Sequence, residues 1–342
     1  MTRAVVGLFV LVLLTGCSGE DAEDAGSGSA PAVPPATATA APAPPSARPT
    51  APPTAPPTAP PTETSTPAAP EPPLVRPGDA RPATAMAAVR HLAGAIGPRP
   101  GTSAAYLRAA RWTTAEFGRY GWRVRGQSFP TPPGVSWGVP VRGGDSINLI
   151  ATRGRLPPGR RWLLVGAHLD TVPQAPGAED NASGVGSLLA VAEALADRRT
   201  SLPVVLVAFG SEEPRGPGDD DHHYGSRFYV DSLSPARRRS LRGMVSLDRV
   251  GVGGVLPVGA AEGRNRVARE LLAAAGRAGV PARFEGEQRS SDHWSFTRAG
   301  LPAARLGSTP YADYHSPGDV PSVVDPDQLD RTIRTTLAWL AR

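Results

Sequence analysis

Two stretches constrain this chain most. Residues 161–167 (RWLLVGA) and 203–210 (PVVLVAFG) are apolar almost throughout. A strand with no polar face must be covered on both sides, and such strands belong to sheets built from strand–helix–strand crossovers. Between them, residues 182–197 repeat their apolar side chains at helical spacing. The rest of the chain continues this alternation. The pattern predicts helices over 84–96 and 103–120, the second closed by Gly121, then strands over 122–129 and 146–152. Beyond residue 210 it predicts a short helix over 227–233, a strand over 241–247 and a helix over 264–279. Short strands over 283–287 and 303–306 and an amphipathic helix over 325–340 complete the series. Such alternation implies an α/β fold of three layers, α/β/α, with a mostly parallel mixed central sheet and helices on both faces.

Residues 83–342 are the right length for one such domain. The chain before them differs in kind. Residues 1–17 carry Arg3, an apolar run over 4–14 and the small-residue exit Leu14-Thr15-Gly16-Cys17. This is the pattern of an export signal, and the run is too short to span a bilayer as a permanent helix. Cys17 is the only cysteine, so no intrachain disulfide can form. Residues 18–82 are mostly Ala, Pro, Thr, Ser and Gly, with Ala-Pro-Pro-Thr repeated three times over 51–62. Too little apolar surface is available there to offset chain entropy, so a disordered, extended spacer is expected. The net charge is +5 and every basic residue is Arg. These arginines are scattered and accompany no zinc finger, helix-turn-helix or RNA-binding signature, so no nucleic-acid partner is expected.

Five motifs carry the chemistry: AHLDTV (His168, Asp170), GAEDNASG (Asp180), GSEEP (Glu212, Glu213), SLDRVG (Asp248) and DYHSPGD (His315). Most directly follow an apolar run, and open α/β sheets gather their ligands at the carboxyl ends of strands. Carboxylate oxygens and imidazole nitrogens suit Zn²⁺, with Co²⁺ and Mn²⁺ drawing on the same ligand types. Two zinc ions sharing one carboxylate and a water need about five protein ligands. His168, Asp180, Glu213, Asp248 and His315 supply that number. Glu212 is left over; adjacent residues at a strand end point in different directions, so it is free to act as general base. Asp170 is placed to receive the His168 ring N–H. Any one of these residues alone reads as surface or satisfied core. Together, several charged side chains at buried strand ends require partners.

These motifs resemble those of the clan MH co-catalytic zinc aminopeptidases, the group of aminopeptidases S and Y. The likeness runs from about Leu92 to the C-terminus and includes IGPRPGTSAAYLRAA, NLIA and SDHWSF. It implies the phosphorylase/hydrolase-like fold of zinc exopeptidases. It also implies one zinc on His168 and Asp248, a second on Glu213 and His315, and Asp180 bridging them. By the same resemblance a two-metal-bridged hydroxide attacks, Glu212 is the base, and Tyr314 helps polarise the substrate carbonyl. The implied reaction is removal of N-terminal residues from peptides by a monomeric catalytic domain. Leu-Thr-Gly-Cys resembles the bacterial lipobox, which implies a lipid on Cys17 and anchoring to the outer face of the cell membrane. HLDTVP also occurs in di-zinc carboxypeptidases and deacylases, but the roughly 100 residues from Glu213 to His315 leave no room for their inserted domain. Two alternatives stand beside the peptidase: a single-zinc glutaminyl cyclase, and a receptor or scaffold on a peptidase fold. The second would have lost ligands, and none is missing.

The chain departs from the family pattern in two places. Arg249 stands where an apolar residue is usual, either facing away from the metals or narrowing the pocket. The loop over 214–224 is long and contains Asp219-Asp220-Asp221-His222-His223, which reads as a solvated loop. His293 reads as a support or pocket wall, His91 as chemically idle, and Trp294 and Phe296 as pocket lining or core.

Overall fold

In the computed structural model, which describes residues 71–341, the two apolar runs lie side by side near the middle of an eight-stranded sheet. In chain order the strands are β1 (Arg123–Thr131), β2 (Gly134–Ser136), β3 (Val139–Val141), β4 (Gly144–Thr152) and β5 (Trp162–His168). There follow β6 (Val204–Phe209), β7 (Leu241–Leu247), β8 (Leu256–Gly259), β9 (Ala282–Glu285) and β10 (Ala303–Leu306). The sheet order is β1-β4-β6-β5-β7-β10-β8-β9, and β2 and β3 pair separately as a hairpin. The central four strands are parallel; β4 joins β6 and β8 joins β10 antiparallel. This is the mixed sheet that the alternation implies.

The helices are α1 (Pro82–Val89), α2 (Ala104–Arg119), α3 (Gly184–Ala194), α4 (Tyr224–Ser232) and α5 (Pro235–Ser240). They continue as α6 (Arg266–Arg277), α7 (His293–Arg298) and α8 (Pro326–Leu340). Alternation along β5 and β6 explains why both faces are covered. Leu163, Val165, Leu206 and Ala208 enter one core with side chains of α1, α2, α3, α6 and α8. Trp162, Leu164, Val205, Val207 and Phe209 enter a second core with Tyr229 of α4 and Phe296 of α7. Each face buries apolar area worth about 25 cal/mol per Å². Phe296 is therefore core, one of the two roles left open for it.

The packed chain begins earlier than Ala83. Leu74 bridges to Arg199, Val75 is buried, and Arg198 pairs with Asp79 at 3.2 Å. The tail of the expected spacer is thus held on the domain through residue 82. The export signal, Cys17 and the spacer through residue 70 lie outside the described residues. Among the described residues no helix is long and apolar enough to cross a membrane.

The parallel strands end level. His168 of β5 lies opposite Phe209 of β6, and Leu247 of β7 opposite Leu306 of β10. Everything that follows β5, β6 and β7 therefore emerges at one edge, where the polar motifs converge.

Candidate metal centre

His168 is the last residue of β5, and Asp248 is the first after β7. Glu212 and Glu213 follow β6 after Gly210 and the left-handed Ser211 (φ 49°). Asp180 comes from the turn leading into α3, and His315 from the loop after β10, where its φ of 54° is left-handed. All six are buried or nearly so. Asp180 stands between two imidazoles. Its Oδ1 lies 3.1 Å from His168 Nε2, and its Oδ2 lies 3.0 Å from His315 Nε2. Asp248 Oδ1 is 3.8 Å from His168 Nε2, and Glu213 Oε2 is 3.7 Å from His315 Nε2. One donor atom each from His168, Asp180 and Glu213 lies within 4.8 Å of the others; the same holds for His168, Glu212 and Asp248.

These residues fit a divalent metal on three counts. Three carboxylates and two imidazoles are the donor set of zinc. Glu213 Oε1 and Asp248 Oδ1 are buried without a hydrogen-bond partner, Asp248 Oδ1 having only Arg249 Nε at 3.5 Å and His168 Nε2 at 3.8 Å beside it, and a buried acceptor so left costs about 1–3 kcal/mol. The electrostatics are also those of a site short of positive charge. Burial, then Asp180 and Glu212, push Glu213 well above the usual carboxyl range. Burial also raises Glu212 to about 7; His168 opposes this while Asp248, Asp170 and Asp180 add to it. Burial disfavours a charged His168, yet Glu212, Asp170, Asp180 and Asp248 outweigh that and hold its pKa well above the imidazole range. Burial opposes ionisation of Asp180 too, but its hydrogen bonds with His168 and His315 win and its pKa falls.

Supporting contacts fix the ligands. Asp170 faces the His168 ring. His168 Nδ1 lies 3.2 Å from the Asp170 backbone oxygen and 3.7 Å from its carboxylate. The carboxylate accepts the backbone N–H groups of Glu212 (3.0 Å) and Glu213 (3.2 Å). The chain leaving β6 brings both backbone donors onto the Asp170 carboxylate, which still lies near enough to His168 to help raise its pKa. Asp319 accepts the N–H groups of Glu179 and Asp180, and Asn181 ties Leu247, Gly184 and Arg249 together. Both lie inside quoted motifs, and only their neighbours' charge distracts from them.

The centre floors a cavity of about 110 Å³ whose walls include Trp137, His222, His223, Arg249 and Tyr314. A larger cavity of about 520 Å³ lies beside the amino end of β6, lined by Arg153 and Arg198, and contains none of these residues. Trp137, at the tip of the β2–β3 hairpin, meets the His315 ring edge-on at 4.4 Å. Tyr314 stacks on His315 at 3.6 Å and carries the Arg249 guanidinium on its ring at 4.5 Å. Burial raises the Tyr314 pKa, so it is a neutral O–H donor. Arg249 thus forms pocket wall, the second of its two expected placements. The 219–223 run is only partly a solvated loop. Asp219 and Asp220 are exposed, whereas His223 is buried with Nε2 3.1 Å from Glu212 Oε1. His293 is buried, bonds to the Gln288 carbonyl at 2.7 Å and lies outside the pocket walls. His91 stacks on Trp112, away from the site.

The profile of peptidase family M28 matches residues 148–340, more than half of the chain. Among curated proteins, the chain is similar to "Probable lipoprotein aminopeptidase LpqL" of Mycobacterium tuberculosis, with 29% identity covering 55% of this chain and 39% of that protein. The chain spans at most about half the length of the curated relatives it matches. Among solved structures it shares its fold with a zinc aminopeptidase of Bacillus subtilis: TM-score 0.67, 19% identity, covering 76% of this chain and 94% of that one. A glutaminyl cyclase of Porphyromonas gingivalis also shares it: TM-score 0.66, 22% identity, covering 77% and 98%.

Proposed function

We propose that this chain, which belongs to peptidase family M28, is a zinc aminopeptidase of the aminopeptidase S and Y type. The observation that carries this reading is the Asp180 carboxylate shared between His168 and His315, with Asp248 and Glu213 flanking the two rings. His168 and Asp248 would hold one ion, Glu213 and His315 a second, and Asp180 both. Zinc, when bound, supplies Lewis acidity toward a peptide carbonyl and brings the proton loss of water near neutral pH. The remaining chemistry belongs to the chain. Glu212, buried beside the five ligands but not one of them, is suited to accept a proton at a carboxylate oxygen and pass it to the departing amine. Asp170 fixes the backbone of the two glutamates by accepting their N–H groups. Tyr314 offers an O–H at the rim. The cavity, with Trp137 among its walls, is small, which supports a chain end over a chain middle as substrate. The lipobox-like Cys17 and the lipoprotein relative support an enzyme exported and anchored by lipid, acting on peptides outside the cell membrane.

The test is a panel of aminoacyl-p-nitroanilides on the full chain, with and without a chelator. Release of p-nitroaniline that stops with chelator and returns with zinc is expected. Glu212→Gln should retain the metal and lose roughly 10²–10⁴-fold in kcat; undiminished turnover would reject the base. Ammonia release from a peptide with N-terminal Gln, with inert p-nitroanilides, would instead favour a glutaminyl cyclase.

A further inference from the structure

The geometry points to His223 as the positioning residue of the Glu212 carboxylate, an inference that rests on the base role given to Glu212 above. His223 Nε2 lies 3.1 Å from Glu212 Oε1, and both side chains are buried. Their backbones are zipped as well. His223 N–H donates to the Glu212 carbonyl at 2.8 Å, Tyr224 N–H to Ser211 at 2.9 Å and Gly225 N–H to Gly210 at 3.1 Å. A Cβ on Gly225 would fall 2.2 Å from the Gly210 oxygen, so this close approach requires glycine. His223 itself is left-handed at φ 57°, a conformation that costs a non-glycine residue energy and turns its ring toward Glu212.

While Glu212 is ionised it only accepts hydrogen bonds, and a neutral ring this close then carries its proton on Nε2. Burial lowers the His223 pKa to about 4, which keeps the ring neutral. A neutral donor is the suitable partner for a base. Arginine or lysine at this place would hold the carboxylate equally well but would stabilise its charge and weaken it as a proton acceptor. Asp170 fixes the Glu212 backbone from one side, and His223 fixes the carboxylate from the other.

The experiment compares zinc-loaded full-length His223→Leu and His223→Gln with the parent chain. Gln can place an amide N–H near the position of Nε2, whereas Leu keeps only bulk. Leu should lower kcat on the order of 10–100-fold, with KM within about twofold and zinc content unchanged. Gln should recover most of that loss. In parallel, ¹⁵N spectra of the parent should show the His223 ring neutral and protonated on Nε2 at neutral pH. Equal kcat for Leu and Gln would overturn the inference, as would an Nδ1-protonated ring. A parent inert on every p-nitroanilide would overturn the peptidase reading instead, and the ring tautomer would then decide the hydrogen bond by itself.

Discussion

At the residue scale, charge and hydrogen-bonding capacity decide which side chain does what. Asp170 illustrates this. Its two oxygens each accept one backbone N–H from the Glu212–Glu213 pair. Asp170→Asn would turn an amide N–H₂ toward one of those donors and leave it unpaired and buried. A loss of about 2–3 kcal/mol in denaturant unfolding is expected, with weaker zinc binding by calorimetry. A change below about 0.5 kcal/mol would show that the carboxylate bears no such load. The six residues of the centre were legible because most follow a strand-like run and because their donor types agree; Asp180 and His315, which follow none, were legible only by their motifs. The partners of Asp170 were not, since which N–H crosses above it depends on how β6 leaves the sheet. His223 was legible only as one of a polar run, because nothing in Asp219–His223 marks which side chain turns inward.

At the scale of elements, the long and periodic ones were readable, as were the short strands β9 and β10, but other short ones were not. β5 and β6 announce themselves by unbroken apolar character, and α8 by its amphipathic stripe. Helix α5, helix α7, strand β8 and the β2–β3 hairpin have three to six residues each. Over so few positions no period accumulates, and Pro257 inside β8 speaks against a strand. Glycine placement in α3 offers a test of packing. In an exposed helix Gly→Ala gains about 1 kcal/mol. A Cβ on Gly186, however, would lie 2.5 Å from the backbone oxygen of Ala85 in α1, which cannot rotate away. Overpacking of this kind costs about 1–3 kcal/mol, so Gly186→Ala should lower the melting temperature. A rise would mean that α1 and α3 separate freely.

At the scale of the whole molecule, the fold concentrates acids at one sheet edge and leaves their charge for a cation to balance. His168, Glu179 and Glu213 all have pKa values well above their usual ranges, each with burial as the leading influence. For Glu179 and Glu213 burial itself raises the value; for His168 the acids around it overcome burial. Groups with raised values bind more protons in the folded chain than in the unfolded one, so their contribution to stability falls as pH rises. His223 and His293 have lowered values and act in the opposite sense, but only below their unfolded value of 6.5. The metal-free chain should therefore melt at lower temperature at about pH 8.5 than at about pH 7. Zinc loading should raise the melting temperature and flatten that slope, because bound ligands are already deprotonated; an unchanged slope would deny the coupling. The most direct measurement is an anomalous difference map at the zinc edge from zinc-loaded crystals of the full chain. Two peaks are expected, one touching His168 and Asp248, the other Glu213 and His315, with Asp180 reaching both. A single peak, or none at these five side chains, would contradict the shared-carboxylate centre.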